Sequence, residues 1–164
     1  MSGRPSELEH VETPLLEQLG RLGWTVVQLD DSEKHDPSKS FRDNLREVII
    51  PSRLKAALKR LNPWLTDIQV DDICGQVQNY PHTTSHTLEN NEEVYDIITE
   101  GLRADNEESG ESNCHVKLID WMDVDGYDGP GHTDNDFLAI SQYKIRIPGK
   151  EEHIIPDIVL FVNG

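Results

Sequence analysis

The stretch Ile154-Ile155-Pro156-Asp157-Ile158-Val159-Leu160-Phe161-Val162-Asn163-Gly164 decides the reading of this chain. Its β-branched and aromatic residues form an apolar run that predicts a buried β-strand. Proline has no N–H for a ladder hydrogen bond, so Pro156 belongs at a strand's first residue, an edge or a bulge. Asp157 then stands where the ladder begins, beside apolar neighbours. A carboxylate there is costly unless it is hydrogen-bonded, paired or bound to a metal. Taken as a dipeptide alone, Pro-Asp is a common turn, and Asp157 would only cap it.

Working outward, Pro148-Gly149 reads as the turn before this strand. Phe137 to Ile147 alternates as a strand, and Val116 to Trp121 reads as another. These three are expected as neighbours in one sheet. Met122 to Thr133 and the acidic Ala104 to Ser112 read as loops.

The first part of the chain carries helical periods instead. Ser6 with Glu9 fits a capping box ahead of Leu8, Val11, Leu15, Leu19 and Leu22. Pro14 either kinks that helix or, with Thr13, forms its true first turn. Gly23 ends it, and Trp24 to Leu29 reads as a strand. Asp30 to Ser40 is a polar loop. Phe41 to Leu61 is helical in composition, broken at Pro51, with Ser52 as cap of Arg53 to Leu61. Thr66 with Gln69 is a second capping box, followed by Val70, Ile73, Cys74 and Val77 on one face. A further helix spans roughly Asn91 to Leu102. Helices first and strands last predict a mixed α+β, or α/β, domain with a core sheet flanked by helices.

A chain of 164 residues suffices for one domain with a real core. Two cysteines, Cys74 and Cys114, suggest a reducing compartment rather than a disulfide scaffold. No apolar run approaches a membrane span. The formal net charge is −16, which on its face argues against a nucleic-acid binder. The charge is uneven, however. From Lys39 to Arg60 seven bases face only Asp43 and Glu47, whereas Glu89 to Asp136 holds just Arg103 and Lys117 as cations. Within the basic stretch, Arg53, Lys59 and Arg60 are candidate phosphate contacts. An ordinary solvated helix face is the competing reading.

Other constellations fail on chemistry. Asp123-x-Asp125-Gly126-x-Asp128 puts Asp where a calcium loop needs its sixth-position Gly. His82 and His86 sit among Pro, Thr and Ser in a loop. Cys114-His115 lacks a second pair for zinc. No G-x-x-x-x-G-K-[ST] occurs, so no P-loop is present.

Pro156-Asp157-Ile158-Val159-Leu160-Phe161-Val162-Asn163-Gly164 resembles the signature of the nuclease domain of type I restriction enzyme restriction subunits, within the PD-(D/E)xK superfamily. Further words match in order: Glu47-Val48-Ile49-Ile50, Arg53-Leu54 through Arg60-Leu61-Asn62-Pro63, and Asn91-Glu92 with Tyr95. Val116-Lys117-Leu118-Ile119-Asp120 and Asn135-Asp136-Phe137 with Gln142 complete the series. The resemblance implies a restriction-endonuclease-like fold and Mg²⁺-dependent hydrolysis of double-stranded DNA, with Asp157 as a metal carboxylate and catalytic residue. It implies Glu-x-Lys on the next strand, so residues 1–164 would form one amino-terminal nuclease domain, truncated before its last strand and inactive alone. Motor domains using ATP would lie beyond residue 164. Modification and specificity subunits would be partners, in the cytoplasm of a prokaryote. Many superfamily members add a glutamate from the first helix. Glu7, Glu9, Glu12 and Glu17 are available, and Glu12 is favoured because it precedes Leu15-Leu16 by about one turn. Asp120 and Asp136, near the ends of neighbouring strands, could approach the site, but each reads first as a turn acceptor or a partner of a nearby base. The alternative is a non-catalytic module of degenerate nuclease fold that docks DNA or subunits.

Overall fold

Three strands make the central sheet, in the order β1 (Thr25–Gln28), β4 (Phe137–Ser141), β7 (Ile158–Val162). The computed structural model describes residues 11–79, 87–121, 133–147 and 150–164. β1 runs parallel to β4 with Thr25 opposite Leu138, and β7 runs antiparallel to β4 with Phe137 opposite Val162. Two smaller antiparallel ladders accompany it: β2 (Leu102–Asn106) with β3 (Glu111–Val116), and β5 (Ile145–Arg146) with β6 (His153–Ile154).

Side chains alternate across β4, so its two faces meet different layers. Ala139 packs against Leu16 and Leu19 of helix α1 (Thr13–Arg21). Leu138 and Ile140 point the other way, into a core with Leu29, Ile50, Tyr143 and Phe161. A second core lies between α2 (Pro51–Leu61), α3 (Asp67–Gln78) and the β2–β3 hairpin, built on Leu54, Leu58, Ile73, Cys74, Val116 and Leu118. Helix α4 (Thr87–Glu100) contributes Ile97 to it. The mixed α/β architecture matches the expectation from sequence.

Local chemistry explains the helix boundaries. Pro14 sits in the first turn of α1, where its missing N–H costs nothing. Pro51, not Ser52, opens α2 in the same manner. Thr66 and Gln69 form the reciprocal capping box of α3. Gly101 closes α4 with φ 73°, and a Cβ there would stand 2.2 Å from the carbonyl oxygen of Val116. Only glycine fits that approach.

Several expectations require correction. Val116 to Trp121 is not a strand beside β4. Asn62 pairs with Lys117 through both its amide groups, accepting from Lys117 N–H at 2.9 Å and donating to its carbonyl at 2.8 Å. A side chain thus takes the place of a ladder partner, and β1 fills the position beside β4. The Ala104 to Ser112 region is a hairpin rather than a loop, and α4 begins at Thr87 rather than Asn91. Phe137 to Ile147 breaks after Ser141, where Gln142 turns left-handed at φ 54°. Residues 41–50 are irregular, not helical. Arg42 lies buried beneath them and donates to the carbonyls of Glu47 and Lys144, both at 2.9 Å. The terminal strand is shorter and less buried than expected. It starts at Ile158, and Leu160 and Val162 are exposed because α1 covers its outer face only around Ile158. Residues 30–40 hold two 3-10 turns, Glu33–His35 and Pro37–Ser40. The Ser6–Glu9 box, His82, His86, the Asp123–Asp128 segment and Pro148-Gly149 lie outside the described residues.

Candidate active site

Strand direction gathers the candidate chemistry. Because β1 and β4 are parallel and β7 is antiparallel, Gln28, Ser141 and Asp157 all mark the same end of the sheet. A cavity of about 500 Å³ opens there, lined by Glu12, Gln28, Leu29, Asp30, Asp31, Ser141 and Gln142.

Glu12 enters this cavity from the residue that precedes α1. It is 8% exposed, and its Oε2 is buried with no hydrogen-bond partner. A buried carboxylate oxygen left unpaired is expensive and rare in folded proteins. Asp157 immediately precedes β7. Its carbonyl accepts from the Gln142 N–H at 2.9 Å, which extends the β4–β7 ladder by one bond. Its carboxylate is exposed and makes no hydrogen bond or ion pair among the described residues.

The other carboxylates of the cavity are occupied by their own loop. Asp30 accepts from Ser32 Oγ and Ser32 N–H, each at 2.7 Å, and from Glu33 N–H at 2.8 Å. The Ser32 hydroxyl, then those backbone donors, hold it below the usual carboxylate range. Asp31 is drawn down by Lys34, 2.6 Å away. Ser141 is buried, and its Oγ accepts from the Leu29 N–H at 3.3 Å. Behind the cavity, Tyr143 is buried with the Arg42 guanidinium 3.6 Å over its ring. Burial pushes the Tyr143 phenol up to about 12, against the pull of Arg42.

Asp120 and Asp136 belong to the opposite end. Asp136 pairs with Arg53 at 2.6 Å, and Asp120 Oδ2 accepts from Thr133 Oγ1 at 3.4 Å. The candidate phosphate contacts also have internal partners. Lys59 reaches Asp67 at 2.6 Å and the Leu65 carbonyl at 3.0 Å. Arg60 donates to the Asp134 carbonyl and to Asn163 Oδ1. Glu17 is exposed and pairs with Arg21 at 3.5 Å. So the structure brings Glu12 and Asp157 to one end of the sheet and leaves Arg53, Lys59 and Arg60 elsewhere. Among the described residues, no three of His, Cys, Asp or Glu converge as a metal cluster. Sequence reasoning gave Gln142 and Ser141 no role. Their place beside Asp157 follows only from the β4–β7 register, which no local pattern encodes.

The family model for the type I restriction enzyme R protein N terminus matches residues 4–164. The chain belongs to this family. Among curated relatives of this R-protein segment, the type I restriction enzyme HindI endonuclease subunit of Haemophilus influenzae is 29% identical over 156 residues. The putative type I restriction enzyme MjaIXP endonuclease subunit of Methanocaldococcus jannaschii is 26% identical over 156 residues. Each match covers 94% of this chain but 14% of the relative's length. No helix among the described residues is long and apolar enough to cross a membrane.

Proposed function

We propose that this R-protein segment is the nuclease part of a type I restriction endonuclease, hydrolysing phosphodiester bonds of double-stranded DNA. The observation that carries the reading is the presence of two carboxylates at one end of the sheet: the buried Glu12 Oε2, which has no hydrogen-bond partner, and the Asp157 carboxylate, which has none among the described residues. Hard divalent cations take oxygen ligands, and this donor set suits Mg²⁺. Glu12 and Asp157 would hold it, and when bound it supplies Lewis acidity at the phosphate. The chain's own contribution is orientation. The Gln142 N–H fixes the backbone of Asp157, and burial restricts the Glu12 side chain.

Two carboxylates hold Mg²⁺ weakly, because the ion keeps most of its waters unless several ligands converge. The reading therefore includes a Glu-x-Lys strand beyond residue 164 of a longer subunit, without which residues 1–164 neither cleave DNA nor hold Mg²⁺ tightly. It also includes ATP-driven motor domains, modification and specificity subunits as partners, and a prokaryotic cytoplasmic setting. The relatives' names, endonuclease subunits of type I restriction enzymes, and their much greater length support only the part that concerns a longer endonuclease subunit. Arg53, Lys59 and Arg60 would add phosphate contacts by exchanging internal acceptors for DNA. Replacing all three should make the salt dependence of DNA binding shallower by roughly one slope unit per contact. An unchanged slope assigns them to the fold.

The direct test uses the assembled restriction complex. Asp157→Ala should abolish cleavage while ATP hydrolysis continues. Retained cleavage removes Asp157 from the site. A second reading, a docking module of degenerate nuclease fold, is favoured by the lack of a three-ligand cluster among the described residues. It expects no cleavage from the unsubstituted complex.

A further inference from the structure

Gln142 occupies a position whose backbone suits a different residue. Its φ of 54° lies in the left-handed region, which side chains with a Cβ adopt at a cost and glycine adopts freely. The turn has a clear structural use. It ends β4 and delivers Tyr143 into the core below. A glycine would make the same turn without strain. The chain carries a long amide there instead, and strained non-glycine residues concentrate at functional sites.

Three observations define what that amide faces. The residue lines the same cavity as Glu12. Its side chain makes no hydrogen bond among the described residues, although the residue is half-buried. Its own backbone N–H is bonded to Asp157 at 2.9 Å, so it moves with that residue. The acidic groups lining that cavity are Glu12, Asp30 and Asp31. Such a rim repels a phosphate diester, and its carboxylates accept hydrogen bonds but donate none when ionised. A neutral amide supplies two N–H donors without adding charge.

We propose that the Gln142 side-chain amide is a substrate contact, donating to a nonbridging oxygen of the DNA phosphate held at the Glu12–Asp157 end. This rests on the nuclease reading above and deepens it. The residue lines the cavity, and its backbone N–H ties it to the Asp157 carbonyl next to the second carboxylate.

The test compares Gln142→Gly, Gln142→Ala and Gln142→Asn in the assembled restriction complex, measuring single-turnover cleavage, ATP hydrolysis and the unfolding midpoint. Gln142→Gly should fold at least as stably as the parent, because it relieves the strained φ. Its cleavage rate should nevertheless fall about 100-fold, the order lost when one preorganised donor is removed. ATP hydrolysis should be unchanged. Gln142→Ala should lose as much cleavage, and Gln142→Asn, which tolerates the left-handed region and keeps an amide, should recover part of it. Cleavage at the parental rate by Gln142→Gly would overturn the proposal and leave the residue as a backbone turn. A complex in which Asp157→Ala still cleaves fails differently: it overturns the nuclease reading itself, whatever Gln142 does.

Discussion

At one end of the β1–β4–β7 sheet, Asn163 uses its whole amide. Its Nδ2 donates to the Leu118 carbonyl at 2.9 Å and to Asn135 Oδ1 at 2.8 Å. Its Oδ1 accepts from the Asp136 N–H at 2.7 Å and from Arg60 at 3.2 Å. Asn135 in turn brackets Asp120, accepting its N–H and donating to its carbonyl, both at 2.9 Å. Arg53 and Asp136 close the same end. At the other end, Glu12 Oε2 has no hydrogen-bond partner, and the Gln142 amide and the Asp157 carboxylate have none among the described residues. Both ends are made by the same three strands, and Asp157 and Asn163 flank the same five-residue strand. The saturated end is the polar clamp that fixes the fold, since a buried network with every group paired is rigid and specific. The open end keeps its polar capacity for something outside the chain.

Breaking the saturated end should have the largest effect on stability. Asn163→Ala leaves the Leu118 carbonyl and the Asp136 N–H without their side-chain partner, takes one of two donors from Asn135 Oδ1, and puts alanine at a φ of 64°. A loss of about 3 kcal/mol or more is expected in urea unfolding of the chain. A loss below about 1 kcal/mol would mean that water replaces the clamp.

A smaller effect should sharpen what lies behind the open end. The Tyr143 phenol, ordinarily near 10, is pushed up to about 12 by burial. The folded chain therefore keeps a proton that the unfolded chain releases between those values. This contribution is full below pH 10 and is lost as pH rises through 12. Tyr143→Phe should remove the loss, so the parent should decline more steeply than the variant from pH 10 to 12, by about 2 kcal/mol. Parallel decline of the two proteins would place solvent beside the phenol.

The contrast between the ends also explains what was legible in the sequence. The Pro-Asp pair placed Asp157 at the start of a strand, and one-turn spacing to Leu15-Leu16 singled out Glu12. Capping residues Thr66 and Gln69 and the β4–β7 pairing were equally readable, because each depends on near neighbours or on a strong period. The β2–β3 hairpin was not, since its tip, Glu107 to Gly110, and the start of β3, Glu111-Ser112, are polar and exposed and show no apolar alternation. Val116 to Trp121 misled because Val116 and Leu118 are buried, while Asn62, far away in sequence, does the work of a neighbouring strand. The parallel pairing of β1 with β4 and the meeting of Gln142 with Asp157 depend on register across long separations. Of the words that carry the family resemblance, Asn135-Asp136 and Asn163-Gly164 supply clamp residues of the saturated end, whereas Gln142 and Pro156-Asp157 belong to the open end.

Glu12→Gln tests the contrast most directly, through the single-turnover DNA cleavage rate of the assembled restriction complex. Substitution removes the charge of a buried, unpartnered carboxylate while keeping its shape, so the fold should be no less stable. Cleavage should fall about 100-fold or more, as expected when a ligand of the hydrolytic site is lost. Cleavage at the parental rate would contradict the account, because the unsatisfied end of the sheet would then serve no hydrolytic purpose.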